Sequence, residues 1–124
     1  MPKTNVIVAV VDDDESVRRA LQRLLRAAGL GAVVHASGRE FLDSLAGQMP
    51  DCLVLDVQMP DLSGLDVRDQ LASRGTRLPI IFITAHDEPQ TRSRALAGEQ
   101  AGYLRKPFTD EELLNAIESA VRGR

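Results

Sequence analysis

Four groups of residues along this chain have chemical reach: an acidic run Asp12-Asp13-Asp14, a solitary Asp56, a hydroxyl at Thr84 and the cation of Lys106 within Arg105-Lys106-Pro107. Carboxylates brought close together repel, and without a counter-charge some of them take up protons. A hard divalent cation such as Mg2+ relieves that repulsion, because it prefers oxygen ligands and keeps several waters. One carboxylate is then available as a nucleophile that accepts a phosphoryl group and becomes an acyl phosphate. Phosphoryl transfer asks a protein mainly for positioning and for compensation of charge on the equatorial oxygens, and a metal ion, a lysine and a hydroxyl supply both.

Each member alone has an ordinary explanation. Acids ahead of a helix are favoured by its dipole and by capping, which accounts for Asp14 and Glu15 without chemistry. Asp56 ends an apolar run and precedes Met59-Pro60-Asp61, where a turn is expected. Thr84 suits a strand, and Lys106 suits solvent. What would make them a site is a shared place in the fold.

The elements that must position them are short apolar runs alternating with helical patterns. The runs are residues 6–11, 32–34, 52–55, 80–83 and 103–104, largely β-branched and hardly alternating, as in strands of a parallel sheet covered on both faces. Val17, Leu21, Leu24, Leu25 and Ala28 recur at helical spacing, with Gly29 as a stop. Ser37 to Glu40 has the spacing of a capping box ahead of Phe41, Leu42 and Leu45. Thr109 to Glu112 repeats it ahead of Leu113, Leu114, Ile117 and Val121. A third helix is expected near 64–73 and a fourth near 87–97. The fourth carries Leu96 as its one large apolar residue, so loose docking is expected. Five β-α units predict an α/β, doubly wound parallel sheet with helices on both faces. Ligands of such sheets gather outside the carboxyl ends of the strands. The acidic run, Asp56, Thr84 and Lys106 follow the first, third, fourth and fifth runs, so they meet if those strands are neighbours.

The 124 residues are expected to form one domain over 1–124. A net charge of −3 lacks the basic surplus of nucleic-acid modules, so no direct nucleic-acid binding by this chain is expected. No apolar run approaches the ~20 residues of a membrane span, and the N-terminus lacks the apolar region of a signal peptide. Cys52, the only cysteine, lies in an apolar run and reads as buried, so no internal disulfide can form. A cytoplasmic protein away from membranes is the expectation.

Taken together, the motifs resemble the receiver domains of bacterial two-component response regulators. Val11-Asp12-Asp13-Asp14-Glu15 is similar to the family's acidic pocket, and the segment from Leu55-Asp56-Val57-Gln58 through Met59-Pro60-Asp61-Leu62-Ser63-Gly64 to its phosphoacceptor motif. Ile83-Thr84-Ala85 resembles the switch hydroxyl segment, and Lys106-Pro107-Phe108 the lysine-proline motif. The resemblance covers essentially the whole chain. It implies a flavodoxin-like, five-stranded sheet of order 2-1-3-4-5 with five helices, and Asp56 as phosphoacceptor. It implies Mg2+ held by the side chains of Asp13 and Asp56 and the backbone carbonyl of Gln58, with Asp12 acting mostly through a coordinated water. Lys106 would pair with the Asp56 carboxylate or its phosphoryl group, after a cis Lys106-Pro107 bond. Thr84 would follow the phosphoryl group inward and Tyr103 would turn toward the vacated space, changing the surface of the fourth helix, fifth strand and fifth helix. The module implied is a signalling device rather than an enzyme, with weak self-phosphorylation and autodephosphorylation. A histidine kinase or histidine phosphotransfer protein would supply the phosphoryl group, and phosphorylation could drive homodimerisation.

The chain departs from the family pattern at Gly98-Glu99-Gln100, where receivers commonly have Ala-Gly-Ala, which leaves the output surface open. Gln58 and His86 occupy positions that flank the phosphoryl group, where they tune access of water; His86 reads as a modulator of solvent rather than a metal ligand. Residues 12–21 with Thr84-Ala85-His86 resemble receivers of the nitrogen-fixation-regulator (FixJ-like) type. Two other readings stay in view. A haloacid-dehalogenase-like phosphatase would want a second acid two residues after its nucleophile. Asp12 and Asp14 have that spacing, whereas Gln58 stands two after Asp56. A flavodoxin-like electron carrier would find its flavin phosphate repelled by the acidic run.

Overall fold

The computed structural model of the protein describes residues 6–97 and 101–123. Strands β1 (Ile7–Val11), β2 (Gly31–His35), β3 (Cys52–Asp56), β4 (Ile80–Thr84) and β5 (Ala101–Arg105) alternate with helices α1 (Glu15–Ala27), α2 (Gly38–Ser44), α3 (Gly64–Ser73), α4 (Pro89–Leu96) and α5 (Asp110–Arg122). All neighbouring strands pair in parallel, in the order β2-β1-β3-β4-β5. This is the expected doubly wound sheet, and it makes β1, β3, β4 and β5 consecutive neighbours.

Successive side chains of a strand point to opposite faces, and here the two sets feed two cores. Val8, Val10, Cys52, Val54, Ile81 and Ile83 pack with Leu21 and Leu25 of α1 and Leu113 and Ile117 of α5. Ala9, Val11, Leu53, Leu55, Ile80 and Phe82 pack with Phe41 and Leu42 of α2 and Leu65, Val67 and Leu71 of α3. β3 is buried along its whole length, which explains a run without polar alternation.

The helix starts follow local chemistry. Asp14 caps α1, accepting from the Ser16 amide at 2.9 Å. Thr109 and Glu112 form the full capping box foreseen for α5. Ser63 and Asp66 form another at α3, which the sequence reading did not single out. The box foreseen at α2 is half made: Ser37 accepts from the Glu40 amide, but the Glu40 carboxylate accepts from the Ala36 amide, one residue before the cap.

Helix α4 departs most from expectation. It starts at Pro89 rather than near residue 87. Proline suits a first helical position but holds its predecessor extended, and Glu88 has φ −94° and ψ 135°. Leu96 does not anchor it; Leu96 is 45% exposed, and Ala95 is the buried residue. A buried leucine contributes roughly 1.5–3 kcal/mol, against about 0.8 for one methyl-sized group, so α4 docks on far less apolar contact than α5. Polar contacts compensate. Arg68 of α3 reaches under its C-terminal end and donates to the carbonyls of Arg94 (2.7 Å) and Ala95 (3.3 Å), with its guanidinium 5.8 Å from the centre of the Phe82 ring. Residues 98–100 lie outside the described residues. Arg68→Ala is expected to speed amide hydrogen exchange in α4 by about 10-fold, the worth of one or two hydrogen bonds, with β1 and β3 unchanged. Site-resolved exchange measured by NMR checks this.

Candidate functional site

The carboxyl ends of the strands hold their chemistry in place through backbone bonds that prolong the sheet. The amide of Asp12 donates to the His35 carbonyl (3.2 Å), that of Val57 to Ile83 (3.0 Å) and that of Lys106 to Thr84 (2.7 Å). Asp12, Asp56 and Thr84 are the buried polar residues of the described chain. Asp13 is exposed at the mouth. Asp12, Asp13 and Asp56 each present a carboxylate oxygen, and the three atoms lie within 4.8 Å of one another. That is a hard, all-oxygen donor set, and it suits a divalent cation such as Mg2+.

Both carboxylate oxygens of Asp12 are engaged. One carboxylate oxygen accepts from the Asp14 amide at 2.9 Å and the other from the Lys106 ammonium at 3.0 Å. Its backbone carbonyl accepts from the Arg18 guanidinium at 2.8 Å. Lys106 therefore sits nearer Asp12 than Asp56, whose Oδ1 is 3.8 Å away. It spans the two buried carboxylates instead of serving Asp56 alone. The Lys106-Pro107 bond is cis, as the resemblance implied.

Asp56 is pushed up to about 7, first by burial and then by the Asp12 carboxylate; Lys106 and the Gln58 backbone amide pull the other way. Its floor is built by α3. Gly64 donates to the Val57 carbonyl at 2.9 Å, and a side chain at Gly64 would place its Cβ 2.4 Å from the Asp56 carbonyl oxygen. Only glycine lets the helix close so tightly beneath the acid.

Thr84 accepts from the His86 amide at 3.0 Å and directs its hydroxyl toward Gln58 Oε1 at 2.6 Å or the His86 carbonyl at 2.9 Å. Tyr103, on β5 and opposite Phe82 of β4, donates to Asp87 at 3.2 Å. Asp87 is also gripped by the Arg92 guanidinium, which lies 6.0 Å from the centre of the Tyr103 ring. Arg92 and the phenol hold the Asp87 carboxyl below its usual range, and burial with the adjacent Asp87 carboxylate pushes the Tyr103 phenol up.

Thus Asp12, Asp13, Asp56 and Lys106 converge as expected, with Thr84 and Gln58 joined beside them. The sequence reading missed Arg18, the bond between Thr84 and the Gln58 side chain, and the Asp87–Arg92 pair. Nothing in the order of residues separates Arg18 from the other arginines of α1.

A sequence model of the family described as "Response regulator receiver domain" matches residues 8–118. Nodulation protein W of Bradyrhizobium diazoefficiens is 47% identical over 118 residues, covering 95% of this chain and 52% of that protein. The solved structure of a response regulator receiver protein from Burkholderia phymatum is 48% identical, with a TM-score of 0.83 over 95% of this chain and 96% of that one. Full-length FixJ from B. japonicum is 34% identical, with a TM-score of 0.88 over 96% of this chain and 59% of that one. The chain spans about half the length of the curated relatives it matches.

Among the described residues no helix is long and apolar enough to cross a membrane.

A carboxyl that holds its proton more tightly when folded destabilises the fold as pH rises. For Asp56 this penalty grows from its ordinary value of 3.8 to about 7 and is fully present above that. Asp56→Asn is therefore expected to stabilise the protein by about 2 kcal/mol at pH 8 in a metal-free buffer, with the gain falling away below about pH 7 and nearly absent at about pH 4. Urea unfolding at the two pH values measures it.

Proposed function

The chain belongs to the response regulator receiver domain family, a signalling module of two-component systems, and from that we propose that Asp56 is its phosphoacceptor. The observation that carries this is the cluster of three carboxylate oxygens around a buried Asp56, with Lys106 bridging Asp12 and Asp56. An oxygen of Asp56 attacks the phosphorus of a phosphohistidine on a histidine kinase or histidine phosphotransfer protein. The P–N bond breaks, the imidazole leaves with the electron pair, and an acyl phosphate remains on Asp56.

Mg2+ is the expected cofactor, and bound there it compensates charge on the transferring phosphoryl oxygens. Asp13, Asp56 and the Gln58 carbonyl would hold it, with Asp12 contributing indirectly rather than as a direct ligand. The donors already on both oxygens of Asp12, the Asp14 amide and Lys106, favour that indirect role. Lys106 neutralises the new phosphoryl charge. Thr84 then moves its hydroxyl to a phosphoryl oxygen, and Tyr103 follows, altering the face of α4, β5 and α5. The chain's own chemistry is limited to slow self-phosphorylation from small donors and slow hydrolysis of the acyl phosphate. A cytoplasmic location and phosphorylation-dependent homodimerisation through the α4-β5-α5 face complete the reading.

With Mg2+ and a small acyl-phosphate donor, intact-mass spectrometry should show one added phosphoryl group per chain. The addition should be lost in Asp56→Asn and on chelation of the metal. No gain in the wild type, or continued modification of the variant, would sink the assignment. Repeated turnover of phosphate esters would favour a hydrolase instead.

A further inference from the structure

Thr84 has one hydroxyl hydrogen, and in this structure its nearest acceptor is the side-chain carbonyl of Gln58, at 2.6 Å. The lone pairs of the same hydroxyl already receive the His86 amide. Gln58 also stands two residues after the phosphoacceptor, and its backbone amide favours the charged form of Asp56. One residue thus follows Asp56 closely in the chain and meets the Thr84 hydroxyl with its side chain. Thr84 itself is wholly buried, while Gln58 is exposed. The hydroxyl has a second, longer choice in the His86 carbonyl at 2.9 Å, whereas the glutamine amide, once released, returns to water at little cost.

We propose that Gln58 is a positioning residue whose side-chain carbonyl holds the Thr84 hydroxyl before phosphorylation and competes for it with a phosphoryl group on Asp56. The inference rests on Asp56 being the phosphoacceptor and adds what opposes the switch. A charged phosphoryl oxygen is the stronger acceptor and takes the hydroxyl. The bond to Gln58 is subtracted from that gain, so residue 58 sets how completely modification is converted into movement of Thr84. This effect is separate from any influence of Gln58 on water reaching the acyl phosphate, because it operates on the equilibrium and not on the rate of hydrolysis.

The test uses beryllium fluoride with Mg2+, which forms a tetrahedral phosphoryl mimic on a carboxylate and does not hydrolyse. Gln58→Met keeps the length of the side chain and removes the acceptor. It should tighten beryllium fluoride binding about 5-fold, the typical worth of one hydrogen bond. In unliganded Gln58→Met, the Thr84 methyl resonance should shift toward its ligand-bound position. In a Thr84→Val background the same substitution should change the affinity by less than about 2-fold, because the contested hydroxyl is gone. Unchanged or weaker binding in Gln58→Met, or an equal gain with Val at position 84, overturns the competition. A wild-type protein that takes no beryllium fluoride, or an Asp56→Asn variant that still does, removes the phosphoacceptor reading itself and the competition with it.

Discussion

Three carboxylates crowd the carboxyl edge of this sheet, and one ammonium group answers two of them. At these separations like charges in a partly desolvated site repel strongly, which is why burial and Asp12 together raise the proton affinity of Asp56. Much of the local architecture holds that arrangement in place. The Asp14 amide and Lys106 occupy Asp12 from two sides, and Arg18 grips its carbonyl. The cis peptide at Lys106-Pro107 follows directly on the strand end that delivers the lysine. Gly64 lets α3 press against the backbone that carries Asp56. A charge cluster of this kind is poised to take up cationic or electrophilic partners, because each relieves a repulsion already present.

The far side of the site is built differently. Helices α1 and α5 are seated by leucine and isoleucine side chains, whose removal from water is non-directional and hard to exchange. Helix α4 is seated by Ala95 and by arginines at its two ends, Arg92 on Asp87 and Arg68 on the last carbonyls. Polar clasps of that sort trade readily with water and tolerate a different geometry at modest cost. The sheet therefore joins a firmly packed face to a helix that can be re-seated, and the β4–α4 connection carrying Thr84, His86 and Asp87 lies between the charge cluster and that helix.

Much of this was legible in the residues. Apolar runs without alternation read correctly as parallel strands, buried in the central β1, β3 and β4 though not at the edge strand β2, where Val33 is 43% exposed, and the acids and the lysine fell where such sheets place ligands. The N-terminal boundary and docking of α4 were not legible. Helix periodicity weighs Leu96 above Ala95, yet the helix turns its small residue to the sheet and leaves Leu96 in solvent. The half-formed cap at α2 shows the same limit on a smaller scale. The spacing of Ser37 and Glu40 is right, but the path of the preceding backbone presents the Ala36 amide to the glutamate instead. At the site, residue types and strand ends identified Asp12, Asp56 and Lys106 but not which acid the lysine would favour. That depends on a difference of under an ångström between two carboxylate oxygens. The bond between Gln58 and Thr84 was similarly hidden, because spacing puts residue 58 beside the site without saying which group its amide meets.

Tyr103 is the only tyrosine of the chain, and there is no tryptophan. Its phenol donates to a carboxylate, with a guanidinium near its ring. The tyrosine absorption and emission of this protein consequently report on a single ring at the α4–β5 face, set apart from the weaker, shorter-wavelength bands of its three phenylalanines. A carboxylate acceptor alters both signals, so the protein carries a native optical probe at the place where a change of state would be read.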